Sequence, residues 1–178
     1  YLKKYPNYES IKGRVLGIDS NPNKIGISVI ENEKVLYECS YEYNTEKMTA
    51  NKINYEINQI VEEISKTARH YSVETIAVED LTIKVGNHNK GRRFNRLVNN
   101  KWTRTLLPRK LKSICKVSGI EFKEVNAAYS SIVGNLVNVK IPDPISASVE
   151  IGMRVTREQF FPDVNSISVS LHRWKEME

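Results

Sequence analysis

The sequence predicts an α/β fold, a five-stranded mixed sheet flanked by helices, and three observations predict it. Three β-rich runs separated by turn residues fill most of the first 43 positions. A helical period then replaces the two-residue alternation over residues 50–70. Beyond it, strand-like and helix-like segments alternate, so a meander is followed by crossovers that cover both faces of a sheet.

Each element has its own signal. Arg14-Val15-Leu16-Gly17-Ile18-Asp19 is a mostly apolar run that ends on an acid. Ser20-Asn21-Pro22-Asn23 is strong turn chemistry. Residues 25–30 form a second strand, with Gly26 permitting close backbone approach. Glu31-Asn32-Glu33 makes the next turn, and residues 34–43 a third strand. Over residues 50–70, Ile53, Ile57, Ile60, Val61, Ile64 and Ala68 recur at three- and four-residue spacing, while Glu56, Glu62, Glu63 and Lys66 fall elsewhere. That is an amphipathic helix laid on one sheet face. Residues 73–78 give a buried fourth strand running into Glu79 and Asp80.

Residues 86–91 read as a polar loop, and 92–116 as two helical pieces broken near Pro108. The alternating segment 120–125 is the fifth strand. Residues 126–144 read as loop. A last helix spans 145–160, with Asp143 as its N-cap and Pro144 at its first position. The domain division expected is a lead-in over 1–12, one domain over 13–163, and a C-terminal stretch 164–178 whose structure is unread. The chain opens on Tyr1 rather than Met, as a piece of a longer protein would.

Composition narrows the function classes. The chain is 40% hydrophobic and 27% charged, with no apolar run long enough for a membrane helix and no apolar leader near Tyr1. Cys39 and Cys115 are too few and too far apart for a zinc ribbon or a disulfide scaffold, and read as reduced, buried thiols of a cytoplasmic protein. His70, His88 and His172 lack ligand spacing and read as surface residues.

Charge is distributed unevenly. Residues 81–120 hold eleven Lys or Arg and no Asp or Glu, on a chain whose net charge is +6. The remaining residues are net acidic. A basic segment on an acidic domain points to a polyanion, most simply a nucleic-acid backbone. Lys90, Arg92, Arg93, Arg96, Lys101, Arg104, Arg109 and Lys110 are the candidate contacts. A solvated helix face is the plainer alternative. Trp102 among these charges reads either as an anchor to the core or as a base-stacking group.

Three acids sit where chemistry needs them. In a sheet of this order, which is the RNase H-like plan, the first and fourth strands are central neighbours. Asp19 ends one, Glu79 ends the other, and Asp143 opens the last helix. Crowded carboxylates repel one another unless a cation holds them, and hard oxygen ligands suit Mg²⁺ or Mn²⁺. Two such ions about 3.5–4 Å apart activate a water and stabilise the leaving oxygen in phosphodiester cleavage. Each acid also has a plainer role, as turn cap, strand-end surface acid or helix cap. Asp80 competes with Glu79, since adjacent residues of a strand face opposite sides.

The motif Gly17-Ile18-Asp19-Ser20-Asn21-Pro22-Asn23-Lys24-Ile25-Gly26 resembles the first RuvC motif of the TnpB (OrfB) proteins of insertion sequences and of the related type V CRISPR effectors. Ile76-Ala77-Val78-Glu79-Asp80-Leu81 is similar to their second motif. Val125-Asn126-Ala127-Ala128-Tyr129-Ser130-Ser131 resembles the segment after their last strand. Asp143 with Ala147, Ile151 and Arg154 is similar to their third motif, an Asp opening a helix that ends in Arg. The resemblance covers residues 13–160. It implies a RuvC-like (RNase H-like) nuclease domain acting on DNA, with Asp19, Glu79 and Asp143 as metal ligands. It implies site support from Asn126, Ser130 and Ser131. It also implies a guide RNA and an N-terminal recognition region as partners. The family's four-cysteine zinc ribbon has no counterpart, because residues 130–142 contain no cysteine.

Other readings compete. A catalytically inactive nucleic-acid-binding module on the same fold would keep the basic segment and need no metal. A Holliday-junction resolvase belongs to the same nuclease class. An actin-like ATPase or sugar kinase also begins with a strand ending in Asp, but the chain is short and lacks Gly-rich phosphate loops.

Overall fold

The computed structural model describes residues 9–21, 24–43, 48–80, 105–126, 130–137 and 142–157. The chain order is β1 (Ile11–Asn21), β2 (Lys24–Glu31), β3 (Lys34–Glu42), α1 (Ala50–His70), β4 (Val73–Asp80), α2 (Leu107–Ser118), β5 (Glu121–Asn126), α3 (Ser130–Val137) and α4 (Asp143–Thr156). The five strands form one sheet in the order β3-β2-β1-β4-β5. β1 pairs antiparallel with β2 and parallel with β4, and β4 pairs parallel with β5. The expected five-stranded mixed sheet, with β1 and β4 adjacent at its centre, is what forms.

Local chemistry explains the connections. Asn32 and Glu33 both adopt positive φ, the two-residue hairpin geometry that matches strand twist. Thr49 caps α1 by accepting the Lys52 amide at 3.4 Å. Arg69 and His70 occupy its last turn, where cations oppose the helix dipole.

The two sheet faces separate cleanly. Leu16, Ile18, Ile25, Ile27, Val29, Ile76 and Val78 pack with α1 and α2 into the main core. Val15, Ala77 and Val125 point the other way and pack with Ile151 and Val155 of α4. α4 lies very close to the strands because glycines face it. A Cβ on Gly26 would overlap the Pro144 carbonyl, and one on Gly17 would overlap the Ser148 carbonyl. α4 therefore runs along the β1–β2 pair, from Gly26 to Gly17 and Ile30, with Ile151 and Val155 reaching Ala77 of β4 and Val125 of β5.

Three expectations are corrected. Pro108 stands in the first turn of α2, where its missing N–H costs nothing, and the helical piece expected ahead of it falls mostly outside the described residues. The supposed loop 126–144 contains α3, which packs so tightly that a Cβ on Gly134 would meet the Ser146 carbonyl. Pro142, not Asp143, holds the N-cap position of α4, its carbonyl accepting the Ile145 and Ser146 amides at 2.9 and 3.0 Å. α4 ends at Thr156, short of the expected 160. In addition, β1 begins at Ile11, ahead of the expected domain start at 13. Residues 1–8 and 158–178, including the C-terminal stretch and His172, lie outside the described residues.

Candidate active site

Asp19 and Glu79 occupy equivalent places on neighbouring parallel strands. Ile18 pairs with Val78, so the next residue on each strand is an acid. Alternation turns both acids toward the face that carries α3 and α4, where Ala77 and Val125 also point. Asp80 follows Val78 to the other side and is exposed. Geometry thus separates the two rivals: Glu79 shares a face with Asp19 and Asp80 does not.

Asp19 is only 2% exposed. The Asn21 side-chain amide donates to its Oδ2 at 2.7 Å, and Asn21 is itself fixed by the Tyr43 hydroxyl, which donates to its carbonyl at 2.7 Å. The turn contact and the buried position coexist. Glu79 accepts a short hydrogen bond from the Ser130 hydroxyl at the start of α3. Burial pushes its carboxyl above the usual glutamate range, and the Ser130 hydrogen bond and the Arg154 charge pull it back only in part.

Asp143 is the first residue of α4. The close seat of Pro144 on Gly26, and the pairing of Gly26 with Asp19, bring the start of that helix beside Asp19. The Asp143 side chain lies outside the described residues. Among the described residues no three His, Cys, Asp or Glu side chains gather as a metal-holding group.

The supporting residues divide. Ser130 reaches the site through Glu79. Asn126 is exposed, and its backbone carbonyl accepts from Arg154 at 2.5 Å. Ser131 is half-buried on α3. Of the basic candidates, Lys90, Arg92, Arg93, Arg96, Lys101 and Arg104 lie outside the described residues, as does Trp102. Arg109 and Lys110 belong to α2, across the sheet from the acids. Lys110 lines a groove of about 330 Å³ with Asn58, Ser65 and Arg69 of α1. Cys39 is half-buried rather than buried, while Cys115 is buried and its thiol is pushed up to about 12 by desolvation.

Sequence reasoning missed the internal role of Glu150 and Arg154. Arg154 is 2% exposed and its Nε donates to Glu150 at 2.9 Å. The signal in the sequence was spacing alone: Glu150 and Arg154 stand four apart in the last helix, as an exposed ion pair would too.

No protein-family profile matches the chain, and no curated protein matches it in sequence. Solved structures do match it. RuvC from Thermus thermophilus, in complex with a Holliday junction substrate, superposes with a TM-score of 0.58 at 12% identity, covering 84% of this chain and 99% of that one. A second Thermus thermophilus RuvC structure superposes at 0.58 and 11% identity, covering 82% and 95%. The fold is RuvC-like. At that identity the likeness speaks for architecture, a five-stranded RNase H-like sheet with helices on both faces.

Among the described residues, no helix is long and apolar enough to cross a membrane.

Proposed function

We propose that this chain is a metal-dependent endonuclease domain of the TnpB type, hydrolysing DNA phosphodiester bonds. The observation that carries the reading is the register. It sets two acids, Asp19 buried and Glu79 half-buried, side by side on one face of the central strand pair, with the start of α4 next to them. The donors are all oxygen, which fits a hard divalent cation such as Mg²⁺ or Mn²⁺. Burial raises the cost of ionised Glu79 in the metal-free protein, as expected of a carboxylate whose compensating charge arrives with a ligand.

Asp19 and Glu79 would hold the cations, with Asp143 as third ligand on the strength of the motif resemblance. Bound there, two divalent ions supply an activated water and charge stabilisation at the leaving oxygen. Asn21 orients the Asp19 carboxylate and Ser130 that of Glu79. The basic segment, Lys90 to Arg104 together with Arg109 and Lys110, would carry the DNA backbone. A guide RNA, an N-terminal recognition region and a cytoplasmic location complete the TnpB reading.

Titration of Mn²⁺ into the domain, followed by calorimetry, tests the site. Binding that Asp19→Ala removes supports it, and metal-dependent cleavage of single-stranded DNA should follow. Cleavage that persists in both Asp19→Ala and Glu79→Ala would sink the assignment.

A second reading is four-way junction resolution. It is favoured by alignment with nearly the whole length of a RuvC solved on a Holliday junction. Preference for a four-way junction over single-stranded DNA of the same sequence would select it.

A further inference from the structure

Arg154 is the largest of the fully buried side chains, and it is a cation. Placing a guanidinium in the interior costs several kcal/mol in solvation unless every donor is met. Two are met: Nε by Glu150 at 2.9 Å and Nη1 by the Asn126 carbonyl at 2.5 Å. Nη2 is buried without a hydrogen-bond partner. A buried ion pair that served stability alone would be replaced without loss by apolar side chains of similar volume. The incomplete set of bonds therefore asks for a second purpose.

Geometry supplies it. Ile151 and Val155, on one side of α4, meet Ala77 of β4 and Val125 of β5. Helical side chains lean toward the N-terminus of their helix. Arg154 accordingly runs back to the C-terminal end of β5, where Asn126 is paired with Asp80 and its neighbour Val125 with Glu79. The strand end it holds is hydrogen-bonded to the strand that carries Glu79. Arg154 thus ties the end of β5 to helix α4, beside the strand position that pairs with Glu79.

We infer that Arg154 is a positioning residue of the acidic site, locking the end of β5 against α4 and so fixing the strand end beside Glu79 where a divalent cation would be received. This rests on the reading of Glu79 as a metal ligand. It touches neither substrate nor reacting atoms, so it acts through Glu79.

The test separates positioning from packing. In the Glu150→Leu/Arg154→Met double variant the ion pair becomes an apolar pair, so the interior stays filled and no lone charge is buried. Mn²⁺ affinity and thermal stability are measured on the 178-residue chain, beside wild type, Asp19→Ala and Glu79→Gln. The expected result is a Tm close to wild type with Mn²⁺ affinity lowered about 10- to 100-fold, the range for loss of a group that orients a metal ligand. Arg154→Lys keeps the charge but loses the planar fork, and should fall between. It also serves if the double variant does not fold. Wild-type affinity in either folded variant, when Asp19→Ala and Glu79→Gln both abolish binding, overturns the inference and leaves the site standing. Absence of Mn²⁺ binding by the wild type, or binding that survives Glu79→Gln, overturns the reading of the site and the inference with it.

Discussion

On the face covered by α1 and α2, the strands present Leu16, Ile18, Ile25, Ile27, Val29, Ile76 and Val78, large aliphatic groups in one continuous core. On the face covered by α3 and α4 they present Val15, Gly17, Asp19, Gly26, Ser28, Ala77 and Glu79, with Ile30 and Val125 the larger aliphatic groups among them. The first face meets its helices through side chains. The second brings backbone against backbone at glycine, and between those contacts it buries Ser130, Ser146, Ser148, Glu150 and Arg154. Aliphatic burial stabilises through area removed from water. Buried polar groups stabilise little and specify position. One face holds the fold together, and the other uses that stability to keep carboxylates where water would not leave them.

The comparison breaks most sharply at the acids. Asp19→Ala should lower metal-dependent cleavage at least about 10³-fold, equivalent to about 4 kcal/mol at the transition state. Thermal unfolding should show the fold intact, because Asp19 contributes to the site and not to the aliphatic core. The converse change lies on the other face. Ile64→Ala removes a fully buried side chain of α1 and should cost about 2–5 kcal/mol of stability. Mn²⁺ affinity of the folded fraction should be unchanged. Should Ile64→Ala weaken Mn²⁺ binding at a temperature where the protein is folded, the two faces would not be separable.

The same contrast explains what could be read from sequence. The aliphatic face announces itself by pattern: apolar strand-like runs mark residues 25–30 and 73–78, and i, i+3, i+4 spacing marks α1 from Ile53 to Ala68. Asp19 and Glu79 were legible because each ends such a run. The opposite face carries little periodic signal. α3 spans Ser130 to Val137 with Gly134 and Asn135 inside it, residues that disfavour an isolated helix. It exists because Gly134 seats against the Ser146 backbone and the Ser146 hydroxyl donates to Asn135 Oδ1 at 2.5 Å. Arg154 reads as an ordinary cation at a helix end. Its burial depends on the close seat of α4 on Gly17 and Gly26, which spacing alone does not specify.

Those glycines make the next test. Gly26→Ala places a methyl group into the Pro144 carbonyl, and neither backbone can yield without lifting α4 from the sheet. Overpacking of this kind costs about 1–3 kcal/mol. Because the lifted end carries Asp143, Mn²⁺ affinity should fall together with Tm, unlike the Ile64→Ala case. Calorimetry and thermal melts on one preparation decide it. A drop in Tm with metal affinity untouched would mean that the start of α4 adds nothing to the site.

The smallest effect has the most telling sign. Glu79 has its folded-state pKa raised above the ordinary 4.5, chiefly by burial. An acid shifted upward favours folding when protonated: its contribution is fully present below the unfolded value and is lost as pH rises through the folded value. In metal-free buffer, Glu79→Gln removes that penalty while its oxygen still accepts from Ser130. The variant should therefore melt a few degrees higher than wild type at neutral pH, about 1 kcal/mol for a domain of this size, and the difference should vanish at acid pH. Added Mn²⁺ should reverse the order, raising the wild-type Tm and leaving Glu79→Gln unmoved, since a ligand stabilises only the state that binds it. A wild type that is the more stable of the two without metal would mean that Arg154 and Ser130 already compensate Glu79 fully. The carboxylate would then be a finished structural contact, with no charge left for a cation to balance.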